Sequence, residues 1–301
     1  MPSALPPDGR LLGPAGTAGE PDGDVPREVP AIRLRDARMS FGDRLLWDNL
    51  DLDVAAGEFV AVLGPNGSGK TTLLKVLLGL LPLSAGSLLI DGEPARRGSP
   101  RIGYIPQQTS ADPELALRGR DLVGFGWDGH RMGMSFRRRA VRRRRVHAAL
   151  AAVEATDYAD VAVGRLSGGE LQRLRVAQAL VGDPAVLLCD EPFLGLDLAH
   201  QRTISRLIDD RRRTTSSAVV FVTHEINPVL HLVDRVVYLV NGRFRIGTPA
   251  EVMTSEVLSD LYGTDVDVVT VRGRLVVVGA EDDAVPRPGH AVHHVPDRAV
   301  R

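Results

Sequence analysis

The run GPNGSGKTT, Gly64 to Thr72, constrains this chain more than any other stretch. Gly64 to Thr71 fit G-x-x-x-x-G-K-[ST]. EFVAVL before them reads as a buried strand, and KTTLLKVLLGLL after them reads as a helix. Glycine at Gly64, Gly67 and Gly69 lets the backbone, with Pro65, Asn66 and Ser68, bend around an anion at a helix start. The unpaired N–H groups there, including those near Thr72, favour negative charge. Lys70 is placed for β- and γ-phosphates, and the Thr71 hydroxyl for Mg²⁺. A glycine-rich turn that binds nothing is the competing reading, and the full pattern in its strand–helix setting outweighs it. The chain is expected to bind a nucleoside triphosphate.

Such a site needs a carboxylate at a neighbouring strand end. AVLLCDEP supplies Asp190 as a Mg²⁺ holder and Glu191 beside it as a general base for an attacking water. A strand-end Asp-Glu pair is otherwise a helix cap, but Pro192 and the phosphate loop favour catalysis. Cys189, the only cysteine, lies in this apolar run and reads as a buried structural thiol in a reducing compartment. The net charge of −1 gives no case for a nucleic-acid partner. The longest charge-free run, Val76 to Ile90, is interrupted by Pro82 and Gly86. A membrane span needs about 20 apolar residues. No secretion signal is evident, and a soluble intracellular protein is expected.

The 301 residues with 44% hydrophobic and 4% aromatic side chains imply a substantial aliphatic core. AIRLRDARMSFG alternates as a half-exposed strand, and DNLDLDVAAGEFVAVLG reads as strand, turn and buried strand. SAGSLLIDGEPA closes on an Asp-Gly turn, RIGYIPQ is a short strand, and Asp121 to Asp160 has a helical pattern. AVLLCDE, a helix near HQRTISRLIDDRRR, and SAVVFVTHE follow as βα units. Hairpins are expected around Asn241-Gly242 and Gly273. The β-rich start, helical middle and later βα units give the fold class α/β with a helical insertion, an arrangement that resembles a P-loop NTPase core with an N-terminal antiparallel β subdomain. The expected division is a disordered leader (1–30), an ATPase domain (31–280) with its helical subdomain at about 108–165, and a flexible tail (281–301).

RLSGGELQRLRVAQAL, Arg165 to Leu180, is a second loop leading into a helix and raises the question of why one chain carries two phosphate-binding helix starts. GPNGSGKTT, GYIPQQ, LSGGELQR, LLCDEPFLGLD and VTHE occur in the order and approximate spacing of ATP-binding cassette (ABC) ATPases. From about Ile32 to Gly247 the chain resembles that family. The resemblance implies that Ser167, Gly168 and Gly169, with Glu170, contact ATP held by a second copy, so that two chains sandwich ATP head to tail. It further implies that Phe41 stacks on adenine, although an ordinary core Phe is the plain alternative. Gln107 would touch Mg²⁺ and the attacking water, with Gln108 a competitor. Thr71, Gln107 and Asp190 would then surround the metal, His224 would contact the γ-phosphate, and Asp197 would carry contacts across the dimer. Two departures stand out: Glu170 where the family most often has Gln, and Phe193 where a small or hydroxyl residue is usual.

By resemblance, the chain is the ATPase of a membrane transporter, peripheral on the inner face of the plasma membrane. Its partners would be integral membrane permease subunits and an extracytoplasmic solute-binding protein. GRDLVGFGWDGHR, LSGGELQR and VTHEINPVL resemble the zinc/manganese importer group. Siderophore and vitamin B12 importers have similar stretches, and an iron–sulfur assembly ATPase stays an alternative outside transport. FRRRAVRRRRVH, Phe136 to His147, reads as a solvated helical face, with anionic lipid or an acidic permease surface as the functional alternatives. His290, His293 and His294, with no Cys or carboxylate cluster at ligand spacing beside them, give no support to a metal-sensing reading.

Overall fold

The structure is a computed structural model that describes residues 29–107, 115–129 and 139–279. Its centre is a six-stranded sheet in the order β10-β9-β3-β8-β7-β6. Those strands are β3 (Phe59–Leu63), β6 (Ile102–Ile105), β7 (Val186–Asp190), β8 (Ala218–Val222), β9 (Arg235–Val240) and β10 (Arg243–Gly247). β3, β7 and β8 are buried along their whole length, as their uninterrupted apolar runs require of parallel strands covered on both faces. The pairs β6–β7, β7–β8, β8–β3 and β3–β9 are parallel, and only β10 at the edge runs antiparallel.

The two-residue period of the strands divides the core. Val60, Val62, Val220 and Leu188 face α1 (Lys70–Leu77), together with Ile32, Trp47 and Leu50 of a second sheet. That sheet is antiparallel, ordered β2-β1-β4-β5, from β1 (Ile32–Phe41), β2 (Arg44–Val54), β4 (Ala85–Ile90) and β5 (Glu93–Pro94). On the opposite face, Phe59, Leu187, Cys189 and Phe221 pack with α4 (Gly168–Leu180) and α5 (Leu198–Thr215). Cys189 is fully buried, and burial drives its thiol far above the ordinary value, which fits a structural role. Leu63, Val236 and Tyr238 meet α6 (Pro249–Val252) and α7 (Ser255–Tyr262) at the edge, followed by the hairpin β11 (Asp267–Val271) and β12 (Arg274–Val278).

The α/β core, the antiparallel sheet and both hairpins agree with the sequence expectation. Asn241-Gly242 and Arg272-Gly273 make the turns with positive φ. α1 ends at Leu77, short of Leu81, because Gly79 adopts φ 66° and breaks the helix. The expected helical stretch resolves into α2 (Gly119–Asp128) and α3 (Arg139–Ala152), and beyond Ala152 the chain turns, with Glu154 at φ 55°. α3 buries Val146 and Leu150. Arg142 pairs with Asp128 at 2.8 Å, and Arg145 pairs with Asp183 and stacks over Trp127. Arg143, Arg144 and His147 are exposed, so the charge run is partly a brace and partly a solvated face. Phe136, Gln108, the leader before Val29 and the tail histidines lie outside the described residues.

Candidate functional site

The strand order brings the carboxyl ends of β3, β7 and β8 side by side, where open α/β sheets place their ligands. Asp190 pairs with Val222, which in turn pairs with Val62. The chain leaving β3 therefore meets the end of β7 across a single strand. A cleft of about 370 Å³ opens there, within the size range of small-molecule sites. Phe41, Asn66, Gly67, Gly69, Lys70, Thr71, Thr72, Gln107, Asp190 and Glu191 line it, bringing ten of the expected residues together.

Two glycines of the loop have no substitute. Gly64 sits at φ 139°, and a Cβ there would meet the Leu239 carbonyl oxygen at 2.0 Å. Gly69 sits at φ 103°, with a Cβ only 2.8 Å from the Trp47 ring. Lys70 is 8% exposed and turns its ammonium back into the loop, donating to the carbonyls of Gly64 at 2.7 Å and Pro65 at 2.8 Å. Ser68 Oγ is buried without a hydrogen-bond partner inside the same loop. An orphaned hydroxyl, a cradle that Cβ atoms would fill and a lysine at its centre form a donor set suited to phosphate.

Asp190 is 3% exposed. Burial raises its carboxyl above the ordinary carboxylate range, the Glu191 charge adds to this, and Lys70 and Lys75 oppose it. A buried carboxylate held up in this way gains from a cation, and the Thr71 hydroxyl and Gln107 line the same cleft, so the residues present fit Mg²⁺. Glu191 adopts φ 47°, a left-handed conformation rare for a side chain of its size, while its N–H donates to the Val222 carbonyl at 3.0 Å. His224 Nδ1 lies 2.7 Å from Glu191 Oε2, although His224 itself is not among the lining residues. Phe41 is 50% exposed, which sets aside its reading as an ordinary core residue.

Ser167, Gly168, Gly169, Glu170 and Asp197 do not line the cleft. Ser167 caps α4, and Asp197 caps α5 by accepting from the His200 N–H at 2.8 Å. Phe193 packs against Phe221, with ring centroids 5.1 Å apart, which accounts for an aromatic at a position where small residues are usual.

Arg44, Leu46 and Val222 also line the cleft and were not legible in the motifs. Arg44 stands three residues after Phe41 and donates to the Gly67 carbonyl at 2.9 Å. The available signal was its place beside Phe41 on the same β1–β2 turn. Buried Gln172 was also missed. Its amide donates to Pro106 at 3.4 Å and Pro192 at 3.2 Å, tying α4 to the residues flanking Gln107 and Glu191. Arg175 adds a bond to the Gln107 carbonyl at 3.4 Å.

Residues 47–194 match the ABC transporter family. The chain is 38% identical over 221 residues to an aliphatic sulfonates import ATP-binding protein of Nocardia farcinica, covering 73% of this chain and 82% of that one. It is likewise 38% identical over 221 residues to a zinc import ATP-binding protein of Cereibacter sphaeroides, covering 73% and 83%. A Nod factor export ATP-binding protein of Burkholderia lata is 37% identical over 248 residues, with 79% and 78% covered. Among solved structures, a dimeric ATP-binding cassette in a post-hydrolysis state with ADP and Pi superposes with a TM-score of 0.62. It shares 28% identity and covers 72% of this chain and 98% of that one. An inward-facing ABC transporter chain gives a TM-score of 0.68 at 26% identity, covering 82% and 95%. No helix among the described residues is long and apolar enough to cross a membrane. Similarity of this extent, on a fold that gathers the phosphate loop and the Asp190–Glu191 strand end into one cleft, identifies the chain as an ATP-binding, ATP-hydrolysing member of the ABC transporter family.

Proposed function

We propose that the cleft holds Mg²⁺·ATP with adenine on Phe41 and the phosphates in the Gly64–Thr72 loop. The convergence of Phe41, the loop, Gln107, Asp190 and Glu191 on one cavity carries this reading. Lys70 binds the β- and γ-phosphates as a point charge, and Thr71, Gln107 and Asp190 hold Mg²⁺. The metal supplies charge neutralisation at the phosphate oxygens. Glu191 orients and deprotonates the attacking water, while His224, 2.7 Å from its carboxylate, fixes its aim and reaches the γ-phosphate. The absence of Ser167, Gly168, Gly169, Glu170 and Asp197 from the cleft supports their acting on ATP held by a second copy. The dimeric cassette bound to ADP and Pi supports the same arrangement.

ATP binding closes the two cassettes, hydrolysis reopens them, and integral membrane permease subunits move with them at the inner face of the plasma membrane. An extracytoplasmic solute-binding protein delivers the solute. Import of a divalent metal, zinc or manganese, is the finer reading, supported by zinc import relatives from Cereibacter sphaeroides, Halorhodospira halophila and Hahella chejuensis. The sulfonate importer relative, at the same 38% identity, supports a second reading in which the solute is an organic anion.

Growth of a deletion strain separates them. Under a broad metal chelator the strain is expected to fail and to recover selectively with high zinc or manganese. Normal growth under chelator, with failure on a sulfonate as sole sulfur source, replaces the metal by the sulfonate. Neither result touches the ATPase chemistry.

A further inference from the structure

The start of α4 already holds an anion of its own. Glu170 Oε2 accepts from the Ser167 N–H at 2.8 Å and from the Ser167 hydroxyl at 2.7 Å, while Ser167 Oγ accepts from the Glu170 N–H at 3.3 Å. This reciprocal cap satisfies the helix end. It also directs the Ser167 hydroxyl proton at Glu170 and leaves a full negative charge where the helix dipole favours one. The bonds from Ser167 hold the Glu170 carboxyl below its ordinary value, and Arg173 one turn on pulls the same way. At neutral pH the group is therefore ionised. α1 is the reverse case: its N-cap Gly69 makes no side-chain capping bond, and its first turn has no acidic residue.

We propose that Glu170 is a positioning residue that sets the ATP threshold for pairing two chains, by holding the Ser167 hydroxyl and competing with the incoming γ-phosphate. The inference rests on the reading that Ser167 acts on ATP bound by a second copy. For that phosphate to accept the Ser167 O–H, the hydroxyl must turn away from Glu170. The phosphate must also approach a carboxylate of like charge. Glutamine separates the two roles of this side chain. Its amide oxygen accepts from the same N–H and keeps the cap, but it carries no charge.

The test measures ATP-driven dimerisation by light scattering in a Glu191→Gln background, which removes the base and stops turnover. Adding Glu170→Gln is expected to lower the half-maximal ATP concentration for pairing by about threefold, the scale of one charge at a helix N-terminus. The difference is expected to narrow in high salt, as an exposed charge effect should. Glu170→Ala, which loses charge and cap together, is expected to melt below Glu170→Gln, and the difference between the two is what the cap alone contributes. ATP binding to the monomer, measured at protein concentrations too low for pairing, is the reference for each variant. Pairing of the glutamine variant at an equal or higher ATP concentration than its parent overturns the role of Glu170 and leaves the shared site intact. Failure of the Glu191→Gln parent to pair with ATP at any concentration removes the shared site and this inference together.

Discussion

The helix starts at Lys70 and Gly168 both carry glycines, just before the first turn of α1 and within the first turn of α4, yet their physical states are opposite. The first is bent by residues only glycine tolerates, leaves its N-cap without a side-chain partner, and holds a nearly buried lysine within the loop. The second has an ordinary extended N-cap, Ser167, and closes itself with Glu170. One end opens on its own cleft, whereas the other is closed by its capping box and does not line that cleft. A helix start is suited to phosphate through what the surrounding fold supplies, here the buried Lys70 ammonium and an open cleft, rather than through its glycines alone.

The sharpest way to break this comparison is to disable each start separately. Lys70→Ala is expected to weaken ATP binding by about 10- to 100-fold, the scale of a charge-assisted hydrogen bond. Ser167→Arg is expected to leave ATP binding to the monomer in place and abolish turnover. A mixture of the two inactive chains is expected to regain hydrolysis, because each mixed dimer contains one intact pair of starts. A mixture that forms dimers yet stays inactive shows that the second start does not serve the partner's nucleotide.

Phe41→Ala tests the aromatic wall of the cleft. It is expected to weaken ATP binding about tenfold, the range of one base–aromatic stack, while Phe41→Tyr stays close to wild type. Equal binding by the alanine variant, read by titration, removes Phe41 from the adenine site.

The smallest expected effect is on stability. Because the folded-state carboxyl of Asp190 is raised, its ionisation opposes folding. The folded state binds more protons than the unfolded one between the two pKa values, so stability falls as pH rises through that window. Asp190→Asn is therefore expected to melt a few degrees higher than wild type at neutral pH and to converge with it near the ordinary aspartate value, about 4. The same substitution is expected to abolish hydrolysis. A lower melting temperature at neutral pH means that the Lys70 and Lys75 charges outweigh burial.

Much of the fold was legible because its signals are local. The alternation of β1, the unbroken apolar runs of β3, β7 and β8, and the Asn241-Gly242 turn each reside in a few consecutive residues. The end of α1 was misplaced because an apolar run continues past Leu77, and only the left-handed Gly79 marks the break. Arg44 and Gln172 carried no motif. Their roles come from partners 23 residues away for Arg44, and 66 and 20 residues away for Gln172, which no periodicity encodes.

By itself, the sequence determined the phosphate loop, the Asp190–Glu191 strand end and the loop-to-helix start of α4, since each resides in one short segment. Only the tertiary structure decided that these segments divide between a cleft and a separate surface. It alone set Phe41 half in solvent, buried Asp190, and brought His224 to within 2.7 Å of Glu191. The physical reason is strand order. β3 lies between β8 and β9, and β8 separates it from β7, so side chains more than a hundred residues apart in sequence converge at the carboxyl ends of these central strands.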